Sequence, residues 1–296
     1  MDRGRRNFIR HSAMIGAGLL LANDLWAMPA AKHRYKIAVI DLMILKRQKL
    51  SAFELSKEIG ADGLEVDMGG LGNRDTFESK LADPATREEY LAKSKETGVE
   101  ICSLAMTGFY AQSFATRPTY KQMVGDCLTT CQQMGVKVAF LPLGIQGDLR
   151  QHPELRPAIV ERLKVVGEMA KKAGVVIGIE TALDAKGEVE LLKEIGSKNI
   201  QIYFNFSNPL KEGRDLISEL KILGKKRICQ IHCTDEDGVW LENNTRLNMP
   251  QVRSALDKMG WKGWLVIERS RDASLSPRMV KENFGANTRY MKQIFQ

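Results

Sequence analysis

No Gly-x-Gly-x-x-Gly run and no phosphate-loop sequence stands behind any strand-like segment, which removes the two common nucleotide-binding designs. Histidine is scarce: there are four in 296 residues, and only His33, His152 and His232 lie beyond the first thirty or so. A multi-zinc cluster needs several imidazoles together, so that chemistry lacks its ligands. Five cysteines (Cys102, Cys127, Cys131, Cys229, Cys233) form an odd set with no Cys-x-x-Cys pair. They read as buried small hydrophobes, with Cys127 and Cys131 four apart on a helix at the limit of disulfide geometry. The apolar run Ala13 to Ala22 falls short of the roughly 20 residues a membrane-crossing helix needs.

That run belongs to a leader. The segment GRRNFIR, Gly4 to Arg10, has the paired arginines, following apolar residues and further basic residue of a twin-arginine export signal. Small residues follow at Ala27 to Ala31, with no cysteine nearby for a lipid anchor. Residues 1–31 are therefore expected to be a cleaved signal and 32–296 a single domain, periplasmic or otherwise exported, without a stable membrane anchor. Arg3, Arg5, Arg6 and Arg10 leave with Asp2 and Asp24, which lowers the formal charge from +8 to +6. Acidic residues interleave with the remaining lysines and arginines, so the excess reads as a solvated surface and not a nucleic-acid patch. A homo-oligomer is compatible with this composition.

Beyond the leader, short β-rich runs alternate eight times with longer helical patterns. The runs are Tyr35–Asp41, Asp62–Asp67, Val99–Met106, Val136–Leu143, Val175–Thr181, Ile200–Asn208, Arg227–Asp235 and Trp264–Ser270. They are continuously apolar, as strands buried on both faces of a parallel sheet must be. Glycines such as Gly98, Gly174 and Gly260 recur where a helix would stop before the next strand. Eight such units with no linker predict an α/β fold, a (β/α)8 TIM barrel in one domain. Gly69, Gly70 and Gly72 are expected to form a flexible lid after the second strand.

In such a barrel the C-terminal strand ends face one mouth. Reading them in order gives Asp41, Glu65 with Asp67, Met106, Pro142, then Glu180, Asn205 with Asn208, His232 with Asp235, and Glu268. The last four strands each supply one oxygen or nitrogen ligand. Buried singly, each polar group would cost several kcal/mol, roughly the penalty for an unpaired buried carboxylate, and convergence on a divalent cation removes that cost. Phe109, Tyr110 and Trp240 are candidates for an aromatic platform at this mouth, whereas Trp264 reads as core.

The order VIGIE, YFNFSN, IHCTD, GWLVIE, with DGLEV at the second strand, resembles the xylose-isomerase-like sugar isomerase/epimerase superfamily from Tyr35 onward. The resemblance implies metal ligands Glu180, Asn205, His232 and Glu268, holding Mn2+, Co2+ or Zn2+. It also implies that Glu180 and Glu268 are the catalytic acid/base pair. Asn205 stands where the family carries aspartate; an amide oxygen still binds a hard cation but brings no charge. Asn208, Glu65, Arg246 and Trp240 are the expected substrate contacts, with Arg269 a second candidate for the arginine that follows the histidine segment. The implied reaction removes a proton next to a sugar carbonyl through an enediolate, giving an epimer or isomer. The same site in an exported branch would instead act as a 3-keto-glycoside lyase by β-elimination. A non-catalytic sugar-binding barrel is the remaining alternative.

Overall fold

The computed structural model describes residues 33–296 apart from 71 and 73, so the export signal expected at 1–31 lies outside the described residues. Eight strands follow in order: β1 (Lys36–Ile40), β2 (Gly63–Asp67), β3 (Glu100–Ala105), β4 (Val138–Pro142), β5 (Val176–Glu180), β6 (Ile200–Asn205), β7 (Ile228–His232) and β8 (Trp264–Ile267). They pair in chain order into a closed barrel, and β8 returns to β1 with Lys36 opposite Trp264. The parallel strands alternate with helices, among them Tyr120–Met134, Arg156–Ala173 and Val280–Phe295. This is the expected (β/α)8 barrel.

The uninterrupted apolar runs have a simple cause. Successive side chains of a strand point to opposite faces, and here both faces are dry. On β1, Ile37 and Val39 join the large layer between strands and helices, while Ala38 and Ile40 join a smaller cluster inside the barrel with Phe140, Tyr203 and Val266. Each fully buried aliphatic side chain contributes about 1.5–3 kcal/mol. Inside the barrel, small residues make room for large ones. A Cβ on Gly178 would come within 2.6 Å of the Cys229 sulfur and 3.0 Å of the Tyr203 Cβ. At the N-terminal end the Trp264 ring fills the space beside Gly63, where a Cβ would meet it at 2.5 Å, and Lys36 Nζ sits 5.0 Å from the ring centroid.

Two expectations are corrected. The sixth strand does not run to Asn208: it stops at Asn205, and a short helix spans Ser207–Lys211. Gly69 is a packing glycine and not simply part of a loose lid, because a Cβ there would fall 2.0 Å from the Phe77 carbonyl oxygen. No helix among the described residues is long and apolar enough to cross a membrane.

Candidate active site

Glu180 closes β5, Asn205 closes β6, His232 closes β7, and Glu268 follows β8 by one residue. Parallel pairing places Asn205 beside His232 and His232 beside Val266, so the four residues reach the same end of the barrel by register. Asn205 is the hub. Its amide Nδ2 donates to Glu180 Oε2 at 3.2 Å and to Glu268 Oε2 at 3.0 Å. Its Oδ1 accepts from the Ser207 backbone N–H at 3.0 Å and the Ser207 hydroxyl at 2.8 Å. A backbone N–H can only donate, so it decides which end of the amide faces which way.

His232 is clamped between two carboxylates. Nδ1 lies 3.1 Å from Glu180 Oε2, and Nε2 lies 3.4 Å from Glu65 Oε1. Burial disfavours the imidazolium, but the hydrogen bonds to Glu180 and Glu65 outweigh it and push its pKa up to about 10. Beneath it, Tyr203 and Phe140 pack against the imidazole with centroids 4.4 and 4.9 Å away. Glu65 is fully buried: its Oε2 accepts from Ser103 Oγ and from Tyr203 OH, both at 2.7 Å. Expected to touch substrate, Glu65 lies in this structure buried against Ser103, Tyr203 and the Nε2 side of His232. Burial and the adjoining Glu65 charge push the Tyr203 hydroxyl well above its ordinary range, keeping it a donor.

The other expected substrate contacts separate. Arg246 forks onto Asp235, with Nε 2.8 Å from Oδ2, so this guanidinium orders the loop after β7 instead of facing the glutamates. Asn208 Nδ2 donates to the Thr181 carbonyl at 2.8 Å and ties the short helix to the residue after Glu180. Trp240 hands its indole N–H to Asn283 Oδ1 at 2.9 Å. Phe109 leaves the aromatic platform altogether, buried edge-on against Phe77 and Phe114. Tyr110 is partly exposed, and its hydroxyl is pushed well up, first by desolvation and then by the charges of Glu180 and Glu268.

Arg269, given only second place by the sequence, is the cation that meets the cluster. Its Nη2 lies 3.4 Å from Glu268 Oε1, its side chain is 34% exposed, and Glu268 followed by Glu180 holds its charge in place. Its backbone N–H donates to Thr234 Oγ1 at 3.0 Å, joining the ends of β7 and β8.

Glu180, Glu268 and His232 offer donors that suit a divalent cation. Asn205 does not complete the set, because its oxygen is taken by Ser207 and its amide hydrogens point at the two carboxylates. No group of three or more His, Cys, Asp or Glu among the described residues is spaced to hold a metal. The four expected ligands thus converge, but as a hydrogen-bonded cluster that does not fit a four-ligand centre.

The family model described as xylose isomerase-like TIM barrel matches residues 53–293. A 2-epi-5-epi-valiolone 7-phosphate 2-epimerase of Actinoplanes sp. is 27% identical over 177 residues, 58% of this chain and 63% of that protein, so the match spans less than two thirds of the relative. Among solved structures, the E. coli 3-keto-D-glucoside 4-epimerase superposes with a TM-score of 0.67 at 19% identity, covering 87% of this chain and all of that one. The D-psicose 3-epimerase of Clostridium cellulolyticum, solved with D-tagatose, gives 0.68 at 14% identity over 88% of this chain and 99% of that one. At such identities the structural likeness speaks for the fold. With the family model covering most of the barrel, the chain belongs to the xylose isomerase-like TIM barrel family.

Proposed function

We propose that the protein is a sugar epimerase/isomerase-type enzyme that removes and returns a proton beside the carbonyl of a sugar. Glu180 and Glu268 are the paired acid and base. The observation that carries this reading is that two glutamates from separate strands are held at the barrel mouth by one amide, each with an oxygen left over. Glu180 Oε1 has no hydrogen bond among those described, and Glu268 Oε1 meets only the partly exposed Arg269. In the step itself, one glutamate takes the α-proton, the C–H electron pair becomes the C=C bond, and the carbonyl π pair moves onto oxygen. Proton return to the opposite face gives an epimer; return to the neighbouring carbon, with the α-hydroxyl proton passing to the former carbonyl oxygen, gives an isomer. Arg269 is placed to stabilise the oxyanion.

The likeness to epimerases supports this class, and one of those relatives is a 3-keto-D-glucoside 4-epimerase. That substrate type suits an exported enzyme, and from the same enediolate a leaving group β to the carbonyl could depart as in a lyase. Incubation in D2O with a ketose and with a 3-keto-glucoside, followed by NMR and mass spectrometry, separates these outcomes. Deuterium at the α-carbon with an epimeric or isomeric product supports the proposal, and a released aglycone assigns elimination. Sugar binding without exchange would instead make the barrel a non-catalytic binder. Export rests on residues 4–31 alone, and N-terminal sequencing of protein recovered from the periplasm tests it.

A further inference from the structure

We propose that the Asn205 amide takes the place of the cation, so that Glu180 and Glu268 work in this chain without a divalent metal. This rests on the proton-transfer reading above and states how its site is held together. The decisive contact is at Ser207. Its N–H opens the helix Ser207–Lys211 and points at Asn205 Oδ1, with the Ser207 hydroxyl on the same oxygen. Turning the amide to present its oxygen to a cation would break both bonds and set two N–H donors against each other in a buried place. Leaving a buried donor unsatisfied costs about 1–3 kcal/mol. An aspartate at this position would have one oxygen for Ser207 and a second for a metal. Asparagine has only one oxygen, and Ser207 uses it.

The remaining groups agree. Each of the two Nδ2 hydrogens has its own carboxylate, at 3.2 and 3.0 Å, so the amide bridges Glu180 and Glu268 as a cation would. Both nitrogens of His232 already face carboxylates, Nδ1 toward Glu180 and Nε2 toward Glu65. The electrophile that a metal would supply has a counterpart in Arg269, which is fixed beside Glu268 and open enough to meet a substrate oxygen.

The test uses the mature chain, dialysed against EDTA and checked for residual metal by mass spectrometry. Mn2+ alone is titrated calorimetrically into wild type and Asn205→Asp, and α-proton exchange of a keto-sugar in D2O is followed with EDTA or with Mn2+. The expected result is at least tenfold tighter Mn2+ binding by Asn205→Asp than by wild type, and wild-type exchange that changes less than twofold between EDTA and Mn2+. Stoichiometric, tight Mn2+ binding by wild type overturns the inference, as does exchange lost in EDTA and restored by Mn2+. If wild type shows no exchange in either condition, the proposed reaction falls and the Mn2+ titration of wild type still decides the site. Should Asn205→Asp fail to fold, that wild-type titration and the EDTA comparison decide the question on their own.

Discussion

The two halves of the barrel mouth carry the same kind of residue and use it differently. At the ends of β1 and β2, Asp41 and Asp67 are carboxylates turned into structure. Asp41 accepts the backbone N–H groups of Gln48 and Asp67, and Asp67 accepts from Gly69 N and Thr107 Oγ1 with Arg47 Nε 3.0 Å away. At the ends of β5 and β8, Glu180 and Glu268 share an amide and keep an oxygen for something else. Backbone N–H groups on Asp41, and a backbone N–H, a hydroxyl and a guanidinium on Asp67, occupy the oxygens of the first pair. Position at a strand end therefore brings a carboxylate to the mouth, but its donors decide whether it is a fastener or a reagent.

Substitutions can break that contrast. The largest effect should come from Glu268→Gln, which leaves the amide bridge but removes one of the two proposed acid/base groups; α-proton exchange should fall about a thousandfold, within the range for general acid–base groups. Retained exchange would put the base elsewhere.

Next in size is a pH effect on the β1–β2 side. Burial, reinforced by the charge of Asp67, pushes Asp41 up to about 8 from an ordinary 3.8. The folded chain thus holds that proton more tightly than the unfolded chain. The stability this provides is fully present below the unfolded value and is lost as pH rises toward about 8. Thermal denaturation of wild type should show the midpoint dropping by several degrees across that window, while Asp41→Asn should give a flatter profile; about 2–4 °C per kcal/mol is usual for a domain near this size. Parallel profiles would remove Asp41 as the source.

Smaller again, Asp67→Asn should lower stability by about 1–3 kcal/mol in urea titration, since buried donors lose their acceptor, with exchange per folded molecule changed less than threefold. A large loss of turnover there would erase the distinction between the two rims. The smallest effect is expected for Tyr203→Phe, which withdraws one of the two donors on Glu65 Oε2 and should cost about 1 kcal/mol. Its readout is the imidazole NMR shift of His232, which should move if Glu65 positions that ring.

Much of this was legible in the sequence because it is local or periodic. Eight apolar runs punctuated by glycine are enough for the barrel, and one polar residue at each of the last four strand ends is enough to bring Glu180, Asn205, His232 and Glu268 to one place. What escaped depends on long-range register. Glu65 meets Ser103, Tyr203 and His232 from 38, 138 and 167 residues away, so nothing near it in sequence marks these contacts. Arg246 and Arg269 are indistinguishable as letters until Asp235 takes one of them. The direction of the Asn205 amide turns on a helix beginning at Ser207, inside the run that reads by its apolar residues as strand to Asn208.

The packing of Phe140 and Tyr203 beneath His232 has a consequence for how the cluster answers truncation. Those two rings fill the barrel interior behind the imidazole, so a smaller side chain at either position leaves an empty space into which His232 can settle, slackening its hold on Glu180 and Glu65 without touching either carboxylate.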